Sequence, residues 1–477
     1  SHHVEPPHLD MYNEPLIGRD WMLRFGLNPA GFAIGRRNVH YSWVIVAVAS
    51  IMWMTSSGMR FAASLLVDEF NKPEQFGWSI GAITVGFTIQ WVMSGTLGPV
   101  CGWLGDRYGV RRVMWVGAVL FIIGMVLTAF MQNLWQFYLY FGVLLAAGMA
   151  AFQVTLVSGV TLWFRKQLGL AMGILQALQG LGTAAAILMV FILFGLFGLR
   201  MTFLIPGIAG GAILLFLVRY FYNEPADIGL RQWGAPDDEP IRSMQNNDIA
   251  KVRTNVFLKQ AQRTSAFWNL VGIHFWGCAG HNIILILLVA MATDEGGANL
   301  AKGTAVAVYI TLTVVSTITR FAVPVLADRF GAKTIMKICF SAQTFPLLLL
   351  LISQDVSTYF IFAVLFGIGM GGEMTAFVII NRQYYGDAPT GTTYGWQMAG
   401  AGVGMAIGPV LGGFLRDWTG AYDWSILLSF GLSAAAVVSI FFLPSTHEHQ
   451  LPNWEDALPP EARTSGVTNI PAVSADD

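Results

Sequence analysis

Three charged side chains stand where the sequence is otherwise apolar, and their distance from chain landmarks puts them at a common depth. Arg60 lies eight residues before Asp68, Arg320 eight before Asp328, and Glu373 nine before Arg382. On helices rising ~1.5 Å per residue, each is roughly 12 to 14 Å from its own charged end, near the centre of a ~30 Å hydrocarbon core. A guanidinium at that depth costs ~2.5 to 3.5 kcal/mol by insertion scales, so it needs a compensating anion. Arginine offers a planar fork of donors that meets a carboxylate with two hydrogen bonds at once. Two arginines and one carboxyl leave a net positive cavity, and the chemistry that suits it is the binding of a small organic anion. Glu373 could instead serve as the fixed partner of one arginine, but the other would still lack a counterion. A buried carboxyl also takes up or releases a proton as neighbouring charges change, which makes Glu373 the candidate proton carrier.

The composition supplies the membrane. Of 477 residues, 55% are hydrophobic and only 12% charged, about half the charged fraction of an ordinary soluble chain. The net charge of −1 gives no basis for nucleic-acid binding. Cys101, Cys278 and Cys339 are far apart in apolar runs and have neither disulfide nor metal-ligand spacing. His274 and His281 are seven residues apart with no ligand set beside them in the sequence, so no metal and no cofactor are expected. No nucleophile–base pair is visible, so the chain does not read as an enzyme.

Apolar runs long enough to span recur at about 43–67, 79–103, 113–131, 135–163, 168–196, 201–222, 266–292, 303–326, 334–353, 357–381, 393–415 and 424–443. The fold class is therefore all-α, with twelve transmembrane helices. Residues 1–42 form an N-terminal tail, 43–222 and 266–443 two six-helix bundles, and 444–477 a C-terminal tail. Residues 223–265 make a linker containing an amphipathic helix expected to lie in the interface. Of the 27 Lys and Arg, 21 fall on the tails and even-numbered connections and four on the opposite side. The positive-inside rule then predicts cytoplasmic termini and a cytoplasmic linker.

The halves repeat one another. "GWLGDRYGVRRVM" after helix 2 and "PVLADRFGAKTIM" after helix 8 align at an offset of 222 residues. The same offset maps Gly109 on Gly331, Gly169 on Gly391, Gly173 on Gly395, Gly180 on Gly402, Gly182 on Gly404 and Gly198 on Gly420. Two parallel repeats about an axis along the membrane normal are one way secondary transporters are built. The charges break the repeat: Arg60 falls on Asn282, Arg320 on Gly98 and Glu373 on Ala151. His281 and Asn282, which match Met59 and Arg60, are candidate cavity-lining residues. Gln179 is another, with Gln90, Gln153 and Gln176, though each glutamine could equally join helices.

In these loops the chain resembles the major facilitator superfamily. "GWLGDRYGVRR" follows that superfamily's loop 2–3 pattern almost in full, and the second copy departs from it at Pro324. The resemblance implies a cytoplasmic gate made of Asp106, Arg107 and Arg111 with Asp328, Arg329 and Lys333. "FGWSIGAI", "WFRKQLGLAMGI", "QRTSAFW", "RFAVPVLADRFG" and "GAYDWS" narrow the likeness to the prokaryotic branch of the monocarboxylate transporters, relatives of the oxalate/formate antiporters. That implies carboxylate binding by a helix 1 cation and a helix 8 arginine, the positions of Arg60 and Arg320. Mammalian members also carry an Asp one turn before the helix 8 arginine; here it is Ser316. The antiporters' helix 11 lysine has no counterpart. The expected function is secondary transport of small organic anions, with protons as a second partner and the bilayer as host. The alternatives are anion exchange or a carboxylate sensor on the same scaffold. A monomer in the bacterial inner membrane is the expected functional unit.

Overall fold

The computed structural model describes residues 32–34, 37–62, 66–236, 238–239, 241–242, 247–293, 298–352, 355–373, 375–446, 448–463 and 469–470. Arg19, Arg24 and Arg36 of the N-terminal tail lie outside them, as do Asp237 and Pro240 of the linker.

Among the described residues, ten helical segments are long and apolar enough to cross a membrane. One of them, Leu168–Val218, holds two spans folded back at Gly198. Gly198 has φ 74° and ψ −177°, backbone angles that a side chain essentially forbids. Helix 2 is a further span made of two shorter pieces, Ile80–Thr96 and Gly98–Tyr108. Pro99 at the start of the second piece has no N–H to continue the ladder, which explains the interruption. This gives the twelve helices read from the sequence. They run as Tyr41–Ala62, the two pieces of helix 2, Val110–Ala129, Leu134–Thr161, the two spans within Leu168–Val218, Ser265–Thr293, Lys302–Phe330, Ala332–Ile352, Val356–Tyr385, Gly391–Thr419 and Asp423–Phe441. Helix 10 is itself in two pieces, Val356–Glu373 and Ala376–Tyr385. Large apolar side chains such as Phe191, Phe414 and Trp418 are fully presented on the outside. A protein surrounded by water could not keep so broad an apolar belt, whereas lipid is its natural solvent.

The repeat is visible in the backbone. Gly109 and Gly331 share φ 89° and precede helices 3 and 9 in the same way. Several of the remaining repeat glycines serve matching interfaces, helix 2 on helix 11 and helix 8 on helix 5, while Gly182 faces Met54 of helix 1 and Gly404 faces Phe275 of helix 7. Gly391 faces Asp106 and Gly169 faces Asp328; Gly395 lies on Gly98, Gly173 on Phe321, and Gly402 on Gly95. At most of these points an added methyl would overlap backbone, so glycine is what lets the two halves meet.

The linker helix, Asn247–Ala261, packs part of its apolar face on the protein. Phe257 is buried against Tyr385 and Trp454, and Trp103 Nε1 donates to Asn255 Oδ1 at 3.5 Å. These partners come from helices 2 and 10 and from the C-terminal tail, whose fold no periodicity announces. Two short antiparallel ladders, Phe32–Ile34 with Arg37–Val39 and Ile241–Arg242 with Asn469–Ile470, complete the described structure.

Candidate functional site

Arg60 lies on helix 1 with 8% of its surface exposed. Its Nη2 donates to Ser94 Oγ at 2.7 Å and points at Met149 Sδ at 3.8 Å. The guanidinium carbon sits 4.5 Å from the Trp91 ring centroid. Trp91 and Ser94, three residues apart on helix 2, present one face to the cation. Nε has no partner. A hydroxyl, a thioether and an indole face solvate a cation without neutralising it.

Arg320 lies half-buried on helix 8, and its Nη1 donates to Gln179 Oε1 at 2.6 Å. Gln179 belongs to helix 5, so this bond joins the two halves. One turn before Arg320, Ser316 is buried with its hydroxyl unpartnered. Among the described residues, neither arginine forms an ion pair.

Glu373 pairs elsewhere. It is fully buried, and its Oε2 is 2.6 Å from His281 Nδ1 of helix 7. Gly277 makes this approach possible, because a methyl there would collide with the Glu373 carboxylate. The Cys278 thiol lies beside the same carboxylate, and the three groups place one polar atom each within 4.8 Å of one another. Sequence spacing alone did not reveal this gathering around His281, since Glu373 arrives from another helix. Two ligand atoms bound tetrahedrally to zinc at ~2.0 Å stand roughly 3.3 Å apart. The 2.6 Å separation is that of a hydrogen-bonded pair. Asn282 is engaged in the scaffold, donating to the Met405 carbonyl at 2.6 Å. Trp91 packs on Cys278, Ala401 and Met405, so the host of Arg60 touches the C-terminal half close to the His281–Glu373 pair.

On the linker face, two carboxylates cross between the halves. Asp106 accepts from Gly391 N at 3.1 Å, Thr392 N at 2.7 Å and Thr392 Oγ1 at 2.7 Å. Asp328 accepts from Gly169 N at 3.3 Å. Each thus caps the N-terminus of a helix in the opposite half, where free N–H groups and the dipole favour an anion. The cations of the same loops stay at home. Arg107 stacks on Trp103 and Tyr108, and Arg111 donates to the Arg219 carbonyl at 3.1 Å. Arg329 lies over Phe330, and Lys333 donates to the Leu443 and Phe441 carbonyls. A cavity of about 600 Å³ opens on this face beside Asp106, Arg253, Tyr385 and Trp454, and none of the three deep charges lines it.

Ser94, Trp91, Met149 and Cys278 escaped the sequence reading. Only Cys278 left a signal there, one helical turn before His281. Known proteins share this architecture. The proton:xylose symporter XylE superposes with a TM-score of 0.64 at 15% identity, over 87% of this chain and 98% of its own. Human Monocarboxylate transporter 11 is 25% identical over 424 residues, 82% of this chain and 80% of the relative. The Oxalate:formate antiporter of Oxalobacter formigenes is 22% identical over 423 residues, 84% of this chain and 91% of the relative. The Major Facilitator Superfamily profile matches residues 43–293 and again 270–472, one match for each half. With both halves matched and twelve helices arranged as two repeats, the chain belongs to the major facilitator superfamily of membrane transporters.

Proposed function

We propose that this chain is a secondary transporter of small organic anions, foremost monocarboxylates, that works by alternating access. One observation carries the reading: Arg60 and Arg320 come from opposite halves, lie deep in the membrane, and have only neutral hydrogen-bond partners. A carboxylate between them would supply the missing negative charge and would link binding to the movement of the halves. The names of the human and Oxalobacter relatives, one a monocarboxylate and one an oxalate and formate carrier, point to the same substrate class. A single chain contributes both arginines, which supports a monomeric unit.

The linker face is the cytoplasmic one on the Lys and Arg distribution, with both termini inside and the chain in the bacterial inner membrane. Asp106 and Asp328 hold that face together in the state described. Glu373 is the proton-carrying carboxyl, and the transport is proton symport. Exchange of one anion for another is the second reading, favoured by the match to the oxalate:formate antiporter along most of both chains.

Purified protein in proteoliposomes decides between them. Labelled lactate, pyruvate, formate and oxalate are offered with and without an inward proton gradient. Symport predicts accumulation that follows the gradient, and exchange predicts counterflow indifferent to it. No movement of any carboxylate would overturn both.

A further inference from the structure

The His281–Glu373 pair stands apart from the two arginines proposed to grip the anion. Oε2 of Glu373 is 2.6 Å from His281 Nδ1, while Oε1 is buried without a hydrogen-bond partner. His281 is 1% exposed and meets Glu373 through Nδ1, which leaves Nε2 as the ring's other proton site. An ionised carboxylate buried between an imidazole and a thiol is costly to keep from water, and a proton relieves that cost.

Titratable and charged groups face the pair from several helices. On helix 7, Cys278 touches the carboxylate, and His274 stacks on Phe377 with both ring nitrogens buried and unbonded. Helix 8 brings Arg320 within electrostatic reach of Glu373, and helix 9 brings Cys339. Helix 11 contributes Tyr394, which faces Cys278. Arg320 is the one permanent charge in this set. A change of charge on Glu373 is therefore felt chiefly by an arginine assigned to the anion.

We infer that His281 is the relay through which a proton reaches Glu373, an inference that rests on the proton-coupled reading above. In the ionised pair, Nδ1–H donates to Oε2. A hydronium ion gives its proton to Nε2 and leaves as water, and the Nδ1 proton then passes to Oε2. The N–H bond at Nδ1 breaks as the carboxyl O–H bond forms, leaving a neutral imidazole in its other tautomer. Nδ1 now accepts from the new carboxyl group. One proton has been gained, no other species is consumed, and the ring need not turn. With Glu373 neutral, Arg320 loses the negative charge nearest to it, so its attraction for an incoming anion grows. By linkage, the anion must raise the proton affinity of the pair by the same factor.

Infrared titration of the full chain in lipid vesicles tests this without needing a substrate. Glu373→Gln identifies the carboxyl band, and nitrogen-labelled histidine reports the tautomer. Carboxyl protonation and the tautomer change should share one midpoint, and His281→Leu should move that midpoint by about one pH unit or more. His281→Gln keeps an N–H donor but cannot relay, so its midpoint should return toward that of the parent. Its gradient-driven lactate accumulation should nonetheless fall by about tenfold or more, while lactate counterflow persists. A carboxyl that titrates at the parent midpoint in His281→Leu, with no tautomer change in the parent, overturns the relay. Should the spectra behave as expected while no carboxylate moves in either assay, the relay stands and the transport reading falls.

Discussion

Asp106 and Thr392 lie 286 residues apart in the chain and meet through two hydrogen bonds of 2.7 Å, one from the backbone N–H and one from the hydroxyl. A carboxylate of the N-terminal half therefore caps helix 11 of the C-terminal half. With Gly391 N as a third donor, Asp106 accepts three bonds across the halves, where Asp328 accepts one, from Gly169 N. The two caps are built alike and differ in their number of hydrogen bonds.

That inequality yields a prediction. Asp106→Ala removes three hydrogen bonds, each worth about 0.5 to 3 kcal/mol, and should open the linker face by roughly tenfold or more. Asp328→Ala should have a smaller effect. Reactivity of cysteines introduced at the mouth of the linker face measures both, and equal labelling of the two variants would argue against Asp106 as the principal latch.

The glycine pair Gly180 and Gly402 tests the same interface sterically. The pair was readable in the sequence as a repeat, but its two environments were not. A methyl at Gly402 would stand 2.6 Å from the Gly95 Cα, which is backbone and cannot yield. A methyl at Gly180 would stand 3.2 Å from the Thr317 hydroxyl, a side chain that can turn away. Gly402→Ala should hold the linker face open and slow transport, at a strain of about 1 to 3 kcal/mol. Gly180→Ala should transport nearly as the parent does.

The helices, the repeat and the depth of Arg60, Arg320 and Glu373 were legible because each rests on a local pattern: apolar run length, a fixed offset, a distance from a loop. Partnership was not legible. The sequence allowed Glu373 to neutralise an arginine, and only the packing of helix 10 onto Gly277 shows it hydrogen-bonded to His281 instead. The C-terminal tail was hidden for a related reason. It is held by single long-range contacts, such as Arg253 Nη2 to Glu455 Oε1 at 2.6 Å and Arg253 Nη1 to the Ala462 carbonyl at 2.8 Å.

That clasp is open to test. Arg253 is 3% exposed and stacks on Trp454, whereas Glu455 keeps partial contact with solvent. Arg253→Ala should loosen the tail by about 1 to 2 kcal/mol, less than a fully buried pair would lose. Limited proteolysis near residue 454 should accelerate about tenfold. An unchanged cleavage rate would mean that Trp454, Leu458 and Ala462 hold the tail by apolar packing alone.

Arg60 and Arg320 differ in what a change of charge should do. Arg60→Gln leaves Ser94 and Trp91 with a neutral guest and should weaken binding of the acid by roughly tenfold while expression is unaffected. An unaltered binding curve would make Arg60 a structural residue.

Arg320→Lys is the sharper experiment, because it preserves the charge and removes the fork. Gln179 takes one donor of the guanidinium through Nη1, which leaves the other edge to meet a carboxylate. A lysine ammonium that satisfied Gln179 could still attract the anion, but it could not align it with paired parallel bonds. Loss of one charge-assisted bond costs about 1.5 to 3 kcal/mol, so uptake should fall ten- to a hundredfold in a protein that inserts normally. Gln179→Leu in the parent should act in the opposite sense on geometry, freeing the fork from the N-terminal half. Binding should survive there while the coupling between halves weakens, so turnover falls more than affinity. If Arg320→Lys transports as well as the parent, charge alone suffices at this position and the forked grip is wrong.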